Sequence, residues 1–216
     1  GGTEAVVMGM RAHTDVAGVQ HQGCAALGNL CDDADTEVEV ARLGGIEAVL
    51  AGTHAHAGVA GVQEQGFRAL ANLCVNNQVK VAQLGGIEAV LVGMRGHEGV
   101  EEVQEHGCGA LHNLCVNDDN RAKVAILGGV EAVLAGMRAH AGAEEVQREG
   151  CRALGNLCGN NDANKVKVAE LGGIEAVVAG IRAHTGAARV QKAGCKALSN
   201  LCNCNADNVE RMKAMG

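Results

Sequence analysis

Two short words recur along this chain at a locked distance. A Gly-Gly pair stands at Gly1–Gly2, Gly44–Gly45, Gly85–Gly86, Gly128–Gly129 and Gly172–Gly173, and Asn-Leu-Cys begins at Asn29, Asn72, Asn113, Asn156 and Asn200. From first glycine to asparagine the offset is always 28 residues, whereas the step between copies is 43, 41, 43 and 44. All variation in length therefore falls between Asn-Leu-Cys and the next Gly-Gly. That stretch holds a tolerant loop, and packing fixes the rest. Repeats of this kind stack, each unit burying its apolar face against its neighbours.

Inside the fixed portion the apolar period is helical. "GGIEAVLAGTHAH" places Ile46, Val49, Leu50 and Thr53 at i, i+3, i+4 and i+7, with Met94 and Met137 at the Thr53 position of later units. "VQEQGFRALANLC" sets Val62, Gly66, Ala69, Leu70 and Leu73 on one face. The variable portion, as in "NNDANKVKVAELGG", reads as a loop, an Asx cap, a short helix through Val166, Val168, Ala169 and Leu171, and a glycine stop. No stretch alternates convincingly with period two. The expected unit is short first helix, Gly-Gly turn, middle helix, tight turn, last helix, and the fold class is all-α. Glycine columns interrupt the middle helix (Gly9, Gly52, Gly93, Gly136, Gly180) and the last helix (Gly23, Gly66, Gly107, Gly150, Gly194). Each costs about 0.5–1 kcal/mol relative to Ala. Close approach of helix backbones is expected to offset that cost.

Composition narrows the function. Of 216 residues, 47% are apolar, enough to bury a core. The chain lacks Pro, Trp and Tyr, and Phe67 is its one aromatic residue, a bias that points to an unusual or engineered origin. A net charge of −7 argues against nucleic acid, and no apolar run approaches a membrane span. The charge is uneven. Residues 1–50 carry two basic and eight acidic side chains, residues 151–216 nine basic and five acidic. Head-to-tail self-association is a partner mode that this polarity would favour.

Three helices per roughly 42 residues, with "VQEQGFRALANL" from Val62 to Leu73 repeated in every unit, resemble the armadillo repeat and its pattern V-Q-x-x-A-x-x-A-L-x-N-L. Runs of Gly-Gly-Ile-Glu-Ala-Val units also resemble armadillo proteins of algae and related protists. HEAT repeats, with two helices per unit, fit less well. The resemblance implies one right-handed superhelical solenoid over residues 1–216, with repeat cores beginning at 1, 44, 85, 128 and 172 and a partial sixth repeat at 205–216. It implies a scaffold whose last helices line a concave groove, where the asparagines (Asn29, Asn72, Asn113, Asn156, Asn200) bond the main chain of an extended peptide. Importin alpha has a Trp four residues before that Asn; here the position holds Ala25, Arg68, Gly109, Arg152 and Lys196. A nuclear-localisation-signal receptor is therefore not expected. Arg68, Arg152 and Lys196 suit an acidic peptide, closer to the way beta-catenin uses its groove. The alternative is a structural or assembly subunit, natural or engineered, with no peptide in the groove.

Other residues look chemical. "GCRALGNLC" carries Cys151 and Cys158, seven apart, or about 10.5 Å between Cα atoms on a helix, beyond disulfide reach. One column holds Cys24, Cys108, Cys151 and Cys195, with Phe67 replacing Cys in the second unit; the other holds Cys31, Cys74, Cys115, Cys158 and Cys202. A column that accepts phenylalanine demands apolar bulk, so these thiols are expected to be core filler. Ten thiols without a framework point to a reducing intracellular compartment, cytoplasmic or nuclear. His13, His56, His97, His140 and His184 are expected to cap the end of the middle helix, and Glu4, Glu47, Glu88, Glu131 and Glu175 to complement its start. No metal, cofactor or catalytic role is assigned to any of them, and the chain is not expected to be an enzyme.

Overall fold

The structure is a computed structural model that describes residues 1–31 and 33–215, and among them every regular element is a helix. The first unit supplies a middle helix, α1 (Gly2–Ala12), and a last helix, α2 (Ala17–Leu30). The second has α3 (Ala34–Arg42), α4 (Gly45–Ala55) and the leading half of α5 (Ala60–Gln83). The trailing half of α5 opens the third unit, followed by α6 (Gly86–Gly96) and α7 (Glu101–Leu114). Then come α8 (Asp118–Ile126), α9 (Gly129–Ala139) and α10 (Glu144–Cys158), and α11 (Asp162–Glu170), α12 (Gly173–Ala183) and α13 (Ala188–Cys202). A further first helix, α14 (Ala206–Lys213), packs on α13. The last helices α2, α5, α7, α10 and α13 make the most extensive contacts and form the spine of the stack.

The first helices start on Asx caps as expected. Asp33, Asn117, Asn161 and Asn205 each accept a hydrogen bond from the backbone N–H three residues on, at 2.9–3.1 Å. The exception is α5, where a loop was expected and the helix runs on, bending at Asn77 (φ −126°, ψ 25°). This unit has the shortest step, 41 residues, which leaves no length for a loop.

The Gly-Gly turn requires both glycines. Gly44, Gly85, Gly128 and Gly172 have φ of 80–88°, the left-handed region that a Cβ disfavours. A Cβ on the second glycine would strike the main chain, 2.7 Å from the Val168 carbonyl oxygen at Gly173. The glycine columns within the helices work differently from the expected backbone approach. At Gly150 the missing Cβ makes room for Met137, whose Cγ would lie 2.5 Å from it. At Gly136 and Gly180 the space holds Oε1 of Gln104 and Gln147, one unit earlier. Except at Gly9, where a Cβ would meet nothing within 4 Å, these glycines are notches for neighbouring side chains.

The cysteine columns lie in the core except in the last unit, where Cys195 is exposed and Cys202 half-buried, contrary to the expectation of core filler. Cys24, Cys108 and Cys151 are fully buried, as is Phe67 in the same column. Burial pushes the Cys24, Cys115, Cys151 and Cys158 thiols up to about 12, so they carry no thiolate at neutral pH. Cys204 is also exposed.

The expected histidines end the middle helices through their backbone N–H, which donates to Gly9, Gly52, Gly93, Gly136 and Gly180 O, but the side-chain cap comes from another residue. The glutamine of each "VQ" donates through Nε2 to two carbonyls at the end of the preceding middle helix: Gln20 to Met10 and His13, both 2.8 Å, and Gln104 to Met94 and His97, both 2.9 Å. Gln63, Gln147 and Gln191 repeat the pair. The histidine rings turn to the unit before. Nε2 of His56, His97, His140 and His184 lies 2.8–2.9 Å from the carbonyls of Thr14, Ala57, Glu98 and Ala141. The glutamates sit at the helix starts and also meet cations of the next first helix: Lys80–Glu47 at 3.4 Å, Lys123–Glu88 at 2.8 Å, Lys167–Glu131 at 3.0 Å.

Gly173→Ala is expected to destabilise the chain by about 1–3 kcal/mol, because the opposing atom is backbone and cannot yield. Gly142→Ala, where a Cβ meets nothing within 4 Å, should stay within about 0.5 kcal/mol of the parent. Denaturant unfolding of the two variants side by side checks this.

Candidate functional site

The asparagines form a ladder along the last helices, with Asn29 on α2, Asn72 on α5, Asn113 on α7, Asn156 on α10 and Asn200 on α13. Four of them bond to the preceding unit. Nδ2 donates to Gly28 O from Asn72 (2.8 Å), to Ala71 O from Asn113 (2.7 Å), to His112 O from Asn156 (2.9 Å) and to Gly155 O from Asn200 (2.8 Å). Each acceptor immediately precedes the asparagine of its own unit. Gly28, His112 and Gly155 lie in a last helical turn, where carbonyls lack an intrahelical donor. The bond fixes the carboxamide's orientation. One N–H is used, and Oδ1 of these four has no partner among the described residues.

The three cations of the sequence pattern stand differently. Arg68 donates to Asn29 Oδ1 at 2.7 Å. Arg152 holds Glu149 through both carboxylate oxygens, at 2.7 and 3.0 Å, and donates to His112 Nε2 at 2.9 Å. Lys196 is exposed, with no ion pair or hydrogen bond among the described residues. The same holds for Arg189 and Lys192, which the sequence pattern did not single out. Their i, i+3, i+7 spacing with Lys196 puts all three on one face of α13 and was the signal that could have found them. They border a depression of about 430 Å³ between α10 and α13, together with Asn156, Arg148 and Arg152.

Neither the family models nor the curated proteins yield a match to this chain. Solved structures do. The crystal structure of an engineered protein aligns with a TM-score of 0.84 at 21% identity, covering 99% of this chain and 86% of that one. A designed armadillo repeat protein aligns at 0.83 and 15% identity, covering 99% and 87%. Another, in complex with the peptide (KR)4, aligns at 0.76 and 18% identity, covering 92% and 81%.

The fold is the armadillo repeat solenoid.

Within this armadillo stack His112 is the pivot between α7 and α10. Arg152 can only donate, so Nε2 of His112 accepts, and Nδ1–H donates to the Arg152 carbonyl at 3.2 Å. The ring is therefore neutral. Burial, and secondarily the Arg152 charge, lower its pKa from 6.5 to about 4. Among the described residues no helix of the armadillo array is long and apolar enough to cross a membrane.

The lowered value sets a pH dependence. The folded chain binds the His112 proton less readily than the unfolded one, so acid destabilises it. The effect is absent above pH 6.5 and grows as pH falls toward 4. His112→Gln should flatten the stability–pH slope in that window by up to about one proton. Urea unfolding at a series of pH values reads the slope.

Proposed function

We propose that the chain is a non-catalytic protein-interaction scaffold that holds an extended peptide along its last-helix face. The carrying observation is the ladder. Carboxamides at regular steps, each oriented by a bond to the preceding helix, keep Oδ1 and one N–H for a peptide unit. Peptide occupancy in a designed armadillo protein supports this reading. That peptide is basic. On this chain the unpaired Arg189, Lys192 and Lys196 border the depression beside Asn156 and favour an acidic segment there. Arg68 and Arg152, already bonded to Asn29 and Glu149, hold the ladder's neighbours in place; a ligand carboxylate would reach Lys196 first. Stacking between copies, favoured by the acidic residues 1–50 and basic residues 151–216, is a second reading. It predicts an apparent mass in light scattering that rises at low salt, and a monomer throughout contradicts it.

Binding of a labelled extended Glu/Ser peptide tests the main reading. Lys192→Glu with Lys196→Glu, both exposed, should weaken it by about tenfold or more at low salt, with the helical signal intact. Asn113→Ala with Asn156→Ala should weaken both this peptide and an uncharged one. Unchanged affinity in a folded variant contradicts the proposal.

A further inference from the structure

One rung of the array is missing, and its absence leaves a cavity. In four units an arginine near the end of the middle helix reaches across to the main chain where the next first helix ends. Arg11 donates to Leu43 O at 3.4 Å and Gly44 O at 3.3 Å; Arg95 donates to Leu127 O at 2.7 Å and Gly128 O at 3.4 Å. Arg138 donates to Leu171 O at 2.8 Å and Arg182 to Met215 O at 3.0 Å. The second unit carries His54 at this position. Its ring is exposed and makes no hydrogen bond to the equivalent carbonyls, those of Leu84 and Gly85, among the described residues. A Cβ at Gly128 or Gly172 would meet an arginine nitrogen, at 2.6 and 3.1 Å, whereas a Cβ at Gly85 meets nothing within 4 Å.

The space is a cavity of about 560 Å³ bordered by Thr53, His54, Leu84, Gly85, Glu88 and Val92. Thr53 stands where other units have methionine or isoleucine, which widens it further. Glu88 adds negative charge: one carboxylate oxygen pairs with Lys123 at 2.8 Å, and the other, Oε2, is buried without a hydrogen-bond partner. Leu84 and Val92 are exposed at its edge, apolar surface of the kind that an arginine's methylene stem covers.

We propose that this cavity is a docking site for an arginine side chain of a partner protein. The incoming guanidinium takes the place that Arg11, Arg95, Arg138 and Arg182 occupy in the other units, donating to the Leu84 and Gly85 carbonyls beside the Glu88 carboxylate. In Arg11 and Arg95 one terminal nitrogen, Nη2, serves both carbonyls, which leaves the other guanidinium donors for the carboxylate beside them; an ammonium has only three donors in all. The site lies between the middle helices α4 and α6, away from the asparagine ladder, and stands independently of the peptide reading.

The test is an NMR titration of the full chain, 15N-labelled, with N-acetyl-arginine methylamide and, separately, its lysine counterpart. Saturable shifts at Gly85, Gly86 and Glu88 are expected with the arginine probe, the lysine probe binding about tenfold more weakly. His54→Arg should fold, since four units already carry arginine there. It supplies the guanidinium from within, so the arginine probe should no longer shift Gly85, and the melting temperature should rise. Equal response to both probes, shifts confined to the ladder residues, or an undiminished response in His54→Arg would overturn the proposal.

Discussion

Every helix leaves up to four carbonyls at its end without an intrahelical donor. An array of such helices holds together only if other groups supply the missing donors. This chain supplies them from side chains, column by column. Glutamines close the middle helices. Arginines close the first helices of the following unit. Lys80, Lys123 and Lys167 bond carbonyls of the preceding first helix, those of Ala41, Ala82 and Ala125. Asn120, Asn164 and Asn208 close the last helices at Leu114, Leu157 and Leu201, and the ladder asparagines and histidines reach back one unit. Each bond contributes about 1 kcal/mol net, but a buried carbonyl left without one costs about 1–3 kcal/mol. The columns recur because the need recurs.

The same requirement shapes the surface available for binding. A ladder asparagine that has given one N–H to its neighbour is held in orientation, and what it offers a ligand is correspondingly reduced and directed. Some cations, such as Arg152 on Glu149 and His112, already hold bonds within the fold. Those left over gather on α13, where Arg189, Lys192 and Lys196 face the depression beside Asn156. Where an arginine is missing from its column, at His54, the Leu84 and Gly85 carbonyls lack the side-chain donor that their counterparts in other units receive.

The repeat, the helices and the buried cysteines were legible in the sequence because each is written within one unit: the period in Ile46, Val49 and Leu50, the apolar column in the exchange of Cys for Phe67. What was not legible runs between units. Nothing in the spacing of His97 indicates that its ring bonds Ala57 of the preceding unit while Gln104 takes the carbonyl expected for it. The run-on of α5 follows from a two-residue shortening whose effect depends on how helices stack. Arg152 has the position of a ligand-binding cation, but its bonds to Glu149 and His112 are a property of packing. The glycine columns were recognised, and their occupants, Met137 and Gln104 among them, were not, because a notch in a sequence does not name what enters it.

The central claim is that side-chain donors hold helix ends and thereby couple one helix to the next. Asn120 tests it most directly: it is buried on α8 and donates to Leu114 O at the end of α7 (3.2 Å) and to Gln78 O in α5 (3.1 Å). Native-state hydrogen exchange of Asn120→Ala should show faster exchange in α8, at the end of α7 and in the trailing half of α5 together, about tenfold for each 1.4 kcal/mol lost, with α1 and α12 unchanged. Faster exchange confined to α8, or none at all, would contradict the account.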